Sequence, residues 1–260
     1  MSDGQSMAEH PLKWQQWLTR WDEQQRGYLP HREERFEVML DLLEATTKTR
    51  EPLVVDIGCG PGSLASRVLK RLPGANVVAV DNDPVLMQLG QAAHSQSPRR
   101  IRWIDADLRS PLWTQAPGMP DQVDAVVSTT ALHWLPSDRL AALYRQLAGL
   151  LRPGGIFING DDMAFGSNQG RIAEAVHAVG AGRADLKGEV ESWDDWWRAI
   201  ELEPSLAAAF SQRNQRQDGQ QTSHQPSSYA SHREALLQAG FAEVATVWQV
   251  LEDRVLVAVR

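Results

Sequence analysis

The 260-residue sequence predicts an α/β fold: a mixed sheet of seven strands, five of them parallel, with an antiparallel pair closing one edge. Three observations predict it. Short apolar runs near 52–57, 76–81, 100–105, 123–128 and 155–160 alternate with helix-like stretches near 63–72, 84–94 and 137–151, the rhythm of strands joined by crossover helices. The run Leu53-Val54-Val55-Asp56-Ile57 enters Gly58-Cys59-Gly60-Pro61-Gly62-Ser63, a buried strand opening through a glycine turn into a helix. Near the C-terminus two β-prone runs, 242–250 and 253–259, meet at Glu252-Asp253 as a hairpin.

The elements follow in order. Met1 to His10 is polar and carries no apolar signal region. Over residues 11–26, Trp14, Trp17 and Trp21 recur at i, i+3 and i+7, one face of a helix that either docks on the body of the protein or lines a substrate site. A second helix over His31–Glu44 turns Phe36, Met39, Leu42 and Leu43 inward, so residues 1–47 form an N-terminal helical cap. Residues 50–160 hold the five parallel strands. Pro136-Ser137 starts the helix over 137–151 and Pro153-Gly154-Gly155 stops it. Residues 168–215 read as helical, with Trp193, Trp196 and Trp197 on one face, and Arg213 to Ser228 is a polar tract unable to bury a core. Residues 161–226 therefore form a helical insertion, a lid on the sheet rather than a second domain. A last helix over 228–239, ended by Gly240, and the hairpin return the chain to the core over 227–260.

Composition narrows the function classes. A net charge of -7 gives no general attraction to a phosphate backbone, which argues against nucleic acid as partner. The single cysteine, Cys59, excludes an intrachain disulfide and a cysteine zinc cluster. No apolar window approaches the length that spans a bilayer, and the expectation is a cytoplasmic protein without a membrane partner.

In a parallel sheet, ligands sit beyond the carboxyl ends of the strands, which selects Asp56–Gly62, Asp81–Pro84, Asp105–Leu108, Ser128–Trp134 and Gly160–Met163. The glycine turn alone suits several cofactors. A dinucleotide fingerprint requires G-x-G-x-x-G, and Ser63 stands at its last position. Asp56 fits poorly beside a pyrophosphate and well beside a cationic amino group. Asp81, at a strand end, can accept hydrogen bonds from both hydroxyls of a ribose, an arrangement common to nicotinamide and adenosyl cofactors alike.

Val54–Gly62, Val80-Asp81-Asn82-Asp83-Pro84, Ala106-Asp107-Leu108, Asp124–Ser128 and Leu151-Arg152-Pro153-Gly154-Gly155, with His232–Phe241 near the end, resemble in order the motifs of the class I S-adenosylmethionine-dependent methyltransferases, trans-aconitate-methyltransferase-like members among them. The resemblance implies a Rossmann-like sheet. It implies S-adenosylmethionine as cofactor, S-adenosylhomocysteine as product, and roles for individual residues. The backbone of Gly58, Cys59 and Gly60, with Asp56, would meet the methionine part. Asp81 would hold the ribose with Asn82 also at the cofactor, Leu86 or Met87 would pack on adenine, and Asp107 with the Leu108 amide would read its edge, unless Asp107 only caps a helix or turn. Ser128 would complete the cofactor site. Arg35 would pair with the methionine carboxylate or else be a solvated arginine, and Cys59 is a small packed residue rather than a nucleophile.

Ser128-Thr129-Thr130-Ala131-Leu132-His133-Trp134-Leu135 resembles the acceptor stretch of small-molecule members. His133 is the candidate base, with a packing role as the alternative. Asp161 and Asp162 follow the fifth strand as helix caps or acceptor contacts, and no third ligand suggests a metal there. Trp17, Trp21, Tyr28, Trp134 and Trp197 are further candidates for lining the acceptor. The expected function is methyl transfer to a small-molecule acceptor, foremost at oxygen. Transfer to nitrogen or carbon, cofactor binding without turnover, and a nicotinamide-dependent oxidoreductase, which Ser63 and Asp56 disfavour, are the alternatives. The oligomeric state stays open.

Overall fold

The computed structural model describes residues 11–29, 31–95, 100–184, 190–217 and 227–260, without the side chains of 181–184 and 217. Met1–His10 and residues 218–226 of the polar tract lie outside the described residues. The N-terminal helices are α1 (Pro11–Tyr28) and α2 (Arg32–Thr46). The alternating region is β1 (Leu53–Ile57), α3 (Ser63–Arg71), β2 (Asn76–Asp81), α4 (Pro84–Ala93), β3 (Ile101–Asp105), β4 (Val123–Thr129), α5 (Ser137–Leu150) and β5 (Leu151–Asp162). The insertion is helical, with α6 (Gly170–Ala184), α7 (Trp193–Glu201) and α8 (Ala207–Gln217), and α9 (Tyr229–Gln238), β6 (Glu243–Val250) and β7 (Asp253–Val259) end the chain.

The seven strands lie in the order β3-β2-β1-β4-β5-β7-β6. β1 pairs in parallel with both β2 and β4, and β7 runs antiparallel between β5 and β6. The order reverses at β1/β4, so the crevice for a ligand opens where the loops after these strands diverge. Residues Val54 to Ile57 are all buried because helices cover both faces, which is why this strand reads as continuous apolar sequence interrupted only by Asp56. One face packs under α5 and α9 through Val55, Ile57, Val126, Phe157, Leu143 and Leu236. The other packs under α2 and α3 through Val54, Ala79, Val127, Ile158, Met39 and Leu64.

Two expectations shift. β5 begins at Leu151 and runs to Asp162, longer at both ends than the 155–160 run. Leu151 pairs with Val123 and Ile156 with Ala125, so Arg152–Gly155 bulges out of the ladder. The Gly154 amide donates to the Arg260 carbonyl at 2.7 Å, and the stop signal that ends α5 acts as a strand irregularity. At the other end β7 carries the pairing on through Asp162↔Asp253. On α2, Leu40 is buried with Phe36, Met39 and Leu43, while Leu42 is only half-buried, because the i, i+3, i+4, i+7 stripe runs through 40.

The helical cap divides between two partners. α2 lies on the sheet, and α1 joins α7 and α8 in an aromatic cluster over α4 made of Trp14, Trp17, Trp21, Trp196, Phe210 and Leu86. One carboxylate joins three helices. Asp22 of α1 accepts from Arg32 Nη2 at 2.9 Å, from Ser63 Oγ at 2.6 Å and from Arg67 Nη1 at 3.2 Å. Burial opposes its charge, yet Arg32 and Arg67 hold its pKa below the usual carboxylate value. Among the described residues no helix is long and apolar enough to cross a membrane.

Asp22→Ala strands the buried Arg32 guanidinium and should destabilise the fold by about 3–5 kcal/mol in urea unfolding at neutral pH. Because the folded pKa of Asp22 is lowered, the stability it adds is present above the ordinary carboxylate pKa and disappears as pH falls through the lowered one. The gap between wild type and variant should narrow in the same acidic range.

Candidate functional site

The loop after β1 fixes the site. Gly58, Gly60 and Gly62 all adopt positive φ, at 65°, 52° and 86°. A Cβ on Gly58 would stand 2.3 Å from Ala131 Cβ, so the bare backbone here lets the loop after β4 close against the loop after β1. A Cβ on Gly60 would lie 3.8 Å from Leu86 Cδ1 and 3.9 Å from Trp21 Cζ2, a cradle that a single methyl would fill. Asp56 lies behind this turn. It is fully buried, with one oxygen accepting from the Ala65 amide at 3.0 Å and the other without a partner, and burial pushes its pKa up to about 8.

Asp81 ties the turn to the end of β2. Its carboxylate accepts the amides of Gly60 at 2.7 Å, Asn82 at 2.7 Å and Asp83 at 2.9 Å. Burial raises its pKa against these amides. A carboxylate has about four acceptor positions, so one remains beyond these three bonds. Leu86 and Trp21 border Gly60. Cys59 is buried, its thiol directed at the Gly60 carbonyl, and burial raises its pKa far from the nucleophilic range.

Three residues expected at the cofactor also make other contacts. Ser128 is fully buried and donates to the Ile57 carbonyl at 2.9 Å, bracing β4 on β1, so its hydroxyl does not open to the site. Asp107 holds Arg109 in a fork, with Nε to Oδ1 at 2.8 Å and Nη2 to Oδ2 at 2.7 Å. Burial works against the Asp107 charge, but the Arg109 pairing lowers its pKa overall. Leu108 faces a groove of about 370 Å³ shared with Arg139 and Arg145 of α5.

A second set gathers beyond β4, β5 and β7. Asp161 is fully buried and accepts the amides of Leu132, His133 and Asp162, each at 3.0 Å, together with His133 Nδ1 at 2.6 Å. Burial raises and His133 lowers its pKa, with a net fall, while on His133 burial lowers and Asp161 raises, with a net rise. With Nδ1–H on Asp161, Nε2 carries the lone pair of the neutral ring. Arg35, read as either a ligand residue or a solvated arginine, is fully buried. It donates to Asp253 Oδ1 at 2.6 Å, Thr129 Oγ1 at 2.8 Å and Thr130 Oγ1 at 2.9 Å, and its Nε stays unpartnered. Gly160 makes room for it, since a Cβ there would fall 3.0 Å from Arg35 Cδ. Thr130 holds φ at 52°, a strained setting for a β-branched residue, with its amide on the Gly160 carbonyl. Burial pushes Asp253 up to about 6 despite Arg35, and it raises Asp162 as well.

The tryptophan stripe resolves in favour of docking. Trp17 is buried edge-on against Trp196 at 6.0 Å, and its Nε1 donates to Glu203 at 2.9 Å. Trp21 packs edge-on against Trp196 at 4.9 Å while bordering Gly60. The Tyr28 hydroxyl accepts the Trp193 amide at 2.9 Å, and half-buried Trp197 lies 3.8 Å beneath the Arg213 guanidinium. Trp134 stays half-exposed beside His133, with ring centres 5.1 Å apart. Thr129 and Thr130 lie in the stretch read as facing the acceptor, but their bonds to Arg35 escaped the sequence reading, as did Asp253, Arg213 and Arg216, which lie far along the chain from what they touch. Among the described residues no group of three or more His, Cys, Asp or Glu side chains is arranged to hold a metal.

Residues 54–155 match the model of a family described as "Methyltransferase domain". The chain is 37% identical over 136 residues to a trans-aconitate 2-methyltransferase of Azoarcus sp. (strain BH72), covering 52% of this chain and 48% of the relative. It is 36% identical over 143 residues to the enzyme of that name from Streptomyces avermitilis, again with 52% and 48% coverage. The chain thus matches about half the length of these curated relatives. A solved putative O-methyltransferase from Nostoc punctiforme shares the fold at a TM-score of 0.54 and 17% identity, over 87% of this chain and 56% of that one. A carbon methyltransferase named CurJ does so at 0.54 and 18%, over 85% and 52%.

The His133–Asp161 pair sets an observable. In Asp161→Asn the imidazole loses its carboxylate partner while its burial persists. NMR titration of the His133 ring should therefore move from a pKa above 6.5 in wild type to one below it.

Proposed function

We propose that residues 54–155, which match a methyltransferase domain, form a class I S-adenosylmethionine-dependent methyltransferase core and that the chain methylates a small-molecule acceptor, foremost at a hydroxyl oxygen. The observation that carries the reading is the link between the two halves of the site. Ala131 touches Gly58, and two residues later His133 is locked on Asp161, so the candidate base is fixed one turn of chain from the glycine cradle.

The residues present fit the cofactor. Gly60, bordered by Leu86 and Trp21, would take the nucleoside against bare backbone, with the last acceptor position of Asp81 for a ribose hydroxyl. Arg35 is the charged group available to an amino acid moiety, and Asp56, which burial keeps largely neutral, offers an unpartnered oxygen. S-adenosylmethionine, when bound, supplies a methyl group on a sulfonium, and the protein's task is alignment, exclusion of water and acceptance of a proton. His133 Nε2 would take the acceptor's proton, and Asp161 would hold Nδ1–H and steady the imidazolium. Trans-aconitate, which names the relatives' acceptor, is a polyanion and suits poorly a site where Asp162 and Asp253 already resist ionising. A neutral hydroxyl fits better. These same carboxylates favour, as a second reading, methylation of an amine.

Isothermal titration with S-adenosylhomocysteine tests the premise, and absence of heat would remove it. Asp81→Ala should weaken that binding by about 2–4 kcal/mol, as the carboxylate both contacts ribose and shapes the turn. His133→Asn should keep the affinity but slow methyl transfer to a phenol and amine panel by roughly 10²–10⁴-fold. Unchanged turnover would remove His133 as base.

A further inference from the structure

Helix α8 carries Arg213 and Arg216, spaced to project from one face. Both reach the rim of the nucleoside side of the site. Arg213 Nε donates to Asp83 Oδ2 at 2.7 Å while its guanidinium rests 3.8 Å over the Trp197 ring. Arg216 Nη1 donates to the Asn82 carbonyl at 2.6 Å and to Asp105 Oδ1 at 2.8 Å, and Nη2 reaches Asp105 Oδ2 at 2.7 Å. Asp81 and Asp105 are register partners at the ends of β2 and β3, so one guanidinium spans the two strand ends whose loops carry Asn82, Leu86 and Asp107. Its charge also acts on Asp83 and Asp107.

We infer that Arg216 is a cofactor-site residue contributed by the insertion: its guanidinium is the outer wall of the slot that takes the adenine ring, and Arg213 fastens α8 to the loop that forms the slot's floor. The inference rests on the S-adenosylmethionine reading above and adds a residue to it. A planar guanidinium neutralised by Asp105 offers a purine a stacking face without adding net charge. Arg216 can do this because it comes from outside the sheet and already bridges the loop after β2 and the end of β3. The cofactor then leaves only when α8 lifts, and part-exposed ion pairs make that lifting easier at high salt.

The test compares two adenosyl probes on the full chain, S-adenosylhomocysteine and 5′-methylthioadenosine, the latter lacking the amino acid. Arg216→Ala should raise Kd for both by a common factor, roughly five- to tenfold, and should speed their dissociation. Arg216→Lys should recover only part of the loss, since an ammonium neither spans the fork nor stacks. Asp105→Asn, which leaves the guanidinium present but unfastened, should raise the dissociation rate and weaken its salt dependence. A purely structural role would lower the melting temperature of the variants and leave both affinities unmoved. Equal Kd and dissociation rates in wild type and folded Arg216→Ala overturn the inference while sparing the cofactor reading. If Arg216→Ala does not fold, unchanged rates in Asp105→Asn overturn it equally. A wild-type chain that binds neither probe overturns both.

Discussion

The approach of Ala131 to Gly58 is the constraint on which the site depends. Two loops leave the sheet from adjacent strands, and they can touch only because one has no side chain at the crossing. The contact fixes where Leu132 and His133 begin, and their amides then find the Asp161 carboxylate at the end of β5. A residue with a Cβ at 58 would separate the loops and strand a fully buried carboxylate at the same time.

The electrostatics divide along the same line. Behind the glycine turn Asp56 is fully buried with one oxygen unpartnered, a poor arrangement for stability, and burial pushes its pKa up to about 8. Beyond β5, Arg35 is surrounded by Asp161, Asp162 and Asp253, so the guanidinium steadies a group of carboxylates that would otherwise repel one another. The strain at Thr130 is tolerated because Arg35 and the Gly160 carbonyl hold both its hydroxyl and its amide.

Much of this was legible in the sequence, and for physical reasons. The parallel strands announce themselves because burial on both faces leaves only apolar residues, and the glycine turn does because L side chains cannot follow its dihedral angles. The rest depended on tertiary placement. Whether Trp17 docks or lines a pocket cannot be decided from helical spacing, since one stripe serves either purpose; Trp196 and Glu203 decide it. Ser128 sits at a strand end where a ligand residue is expected, but its hydroxyl turns to the Ile57 carbonyl, a choice set by β1 lying beside it. Arg35 could be read as solvated because its partner Asp253 is 218 residues away. The extra length of β5 was hidden because Pro153-Gly154-Gly155 carries the same letters whether it ends a helix or loops out of a ladder.

The aromatic cluster joins the first helix to the insertion, and that has a consequence for synthesis. Trp17 and its partner Glu203 are 186 residues apart, so α1 emerges from the ribosome well before the surface it will cover exists. At ordinary translation rates the interval is roughly 10–40 s. During it, Trp17 and Trp21 lack their contacts with Trp196, although α4, on which α1 also packs, is already made. The last part of the aromatic cluster therefore closes only after the insertion is synthesised, and α1 docks in two stages, first on α4 and then under α7 and α8.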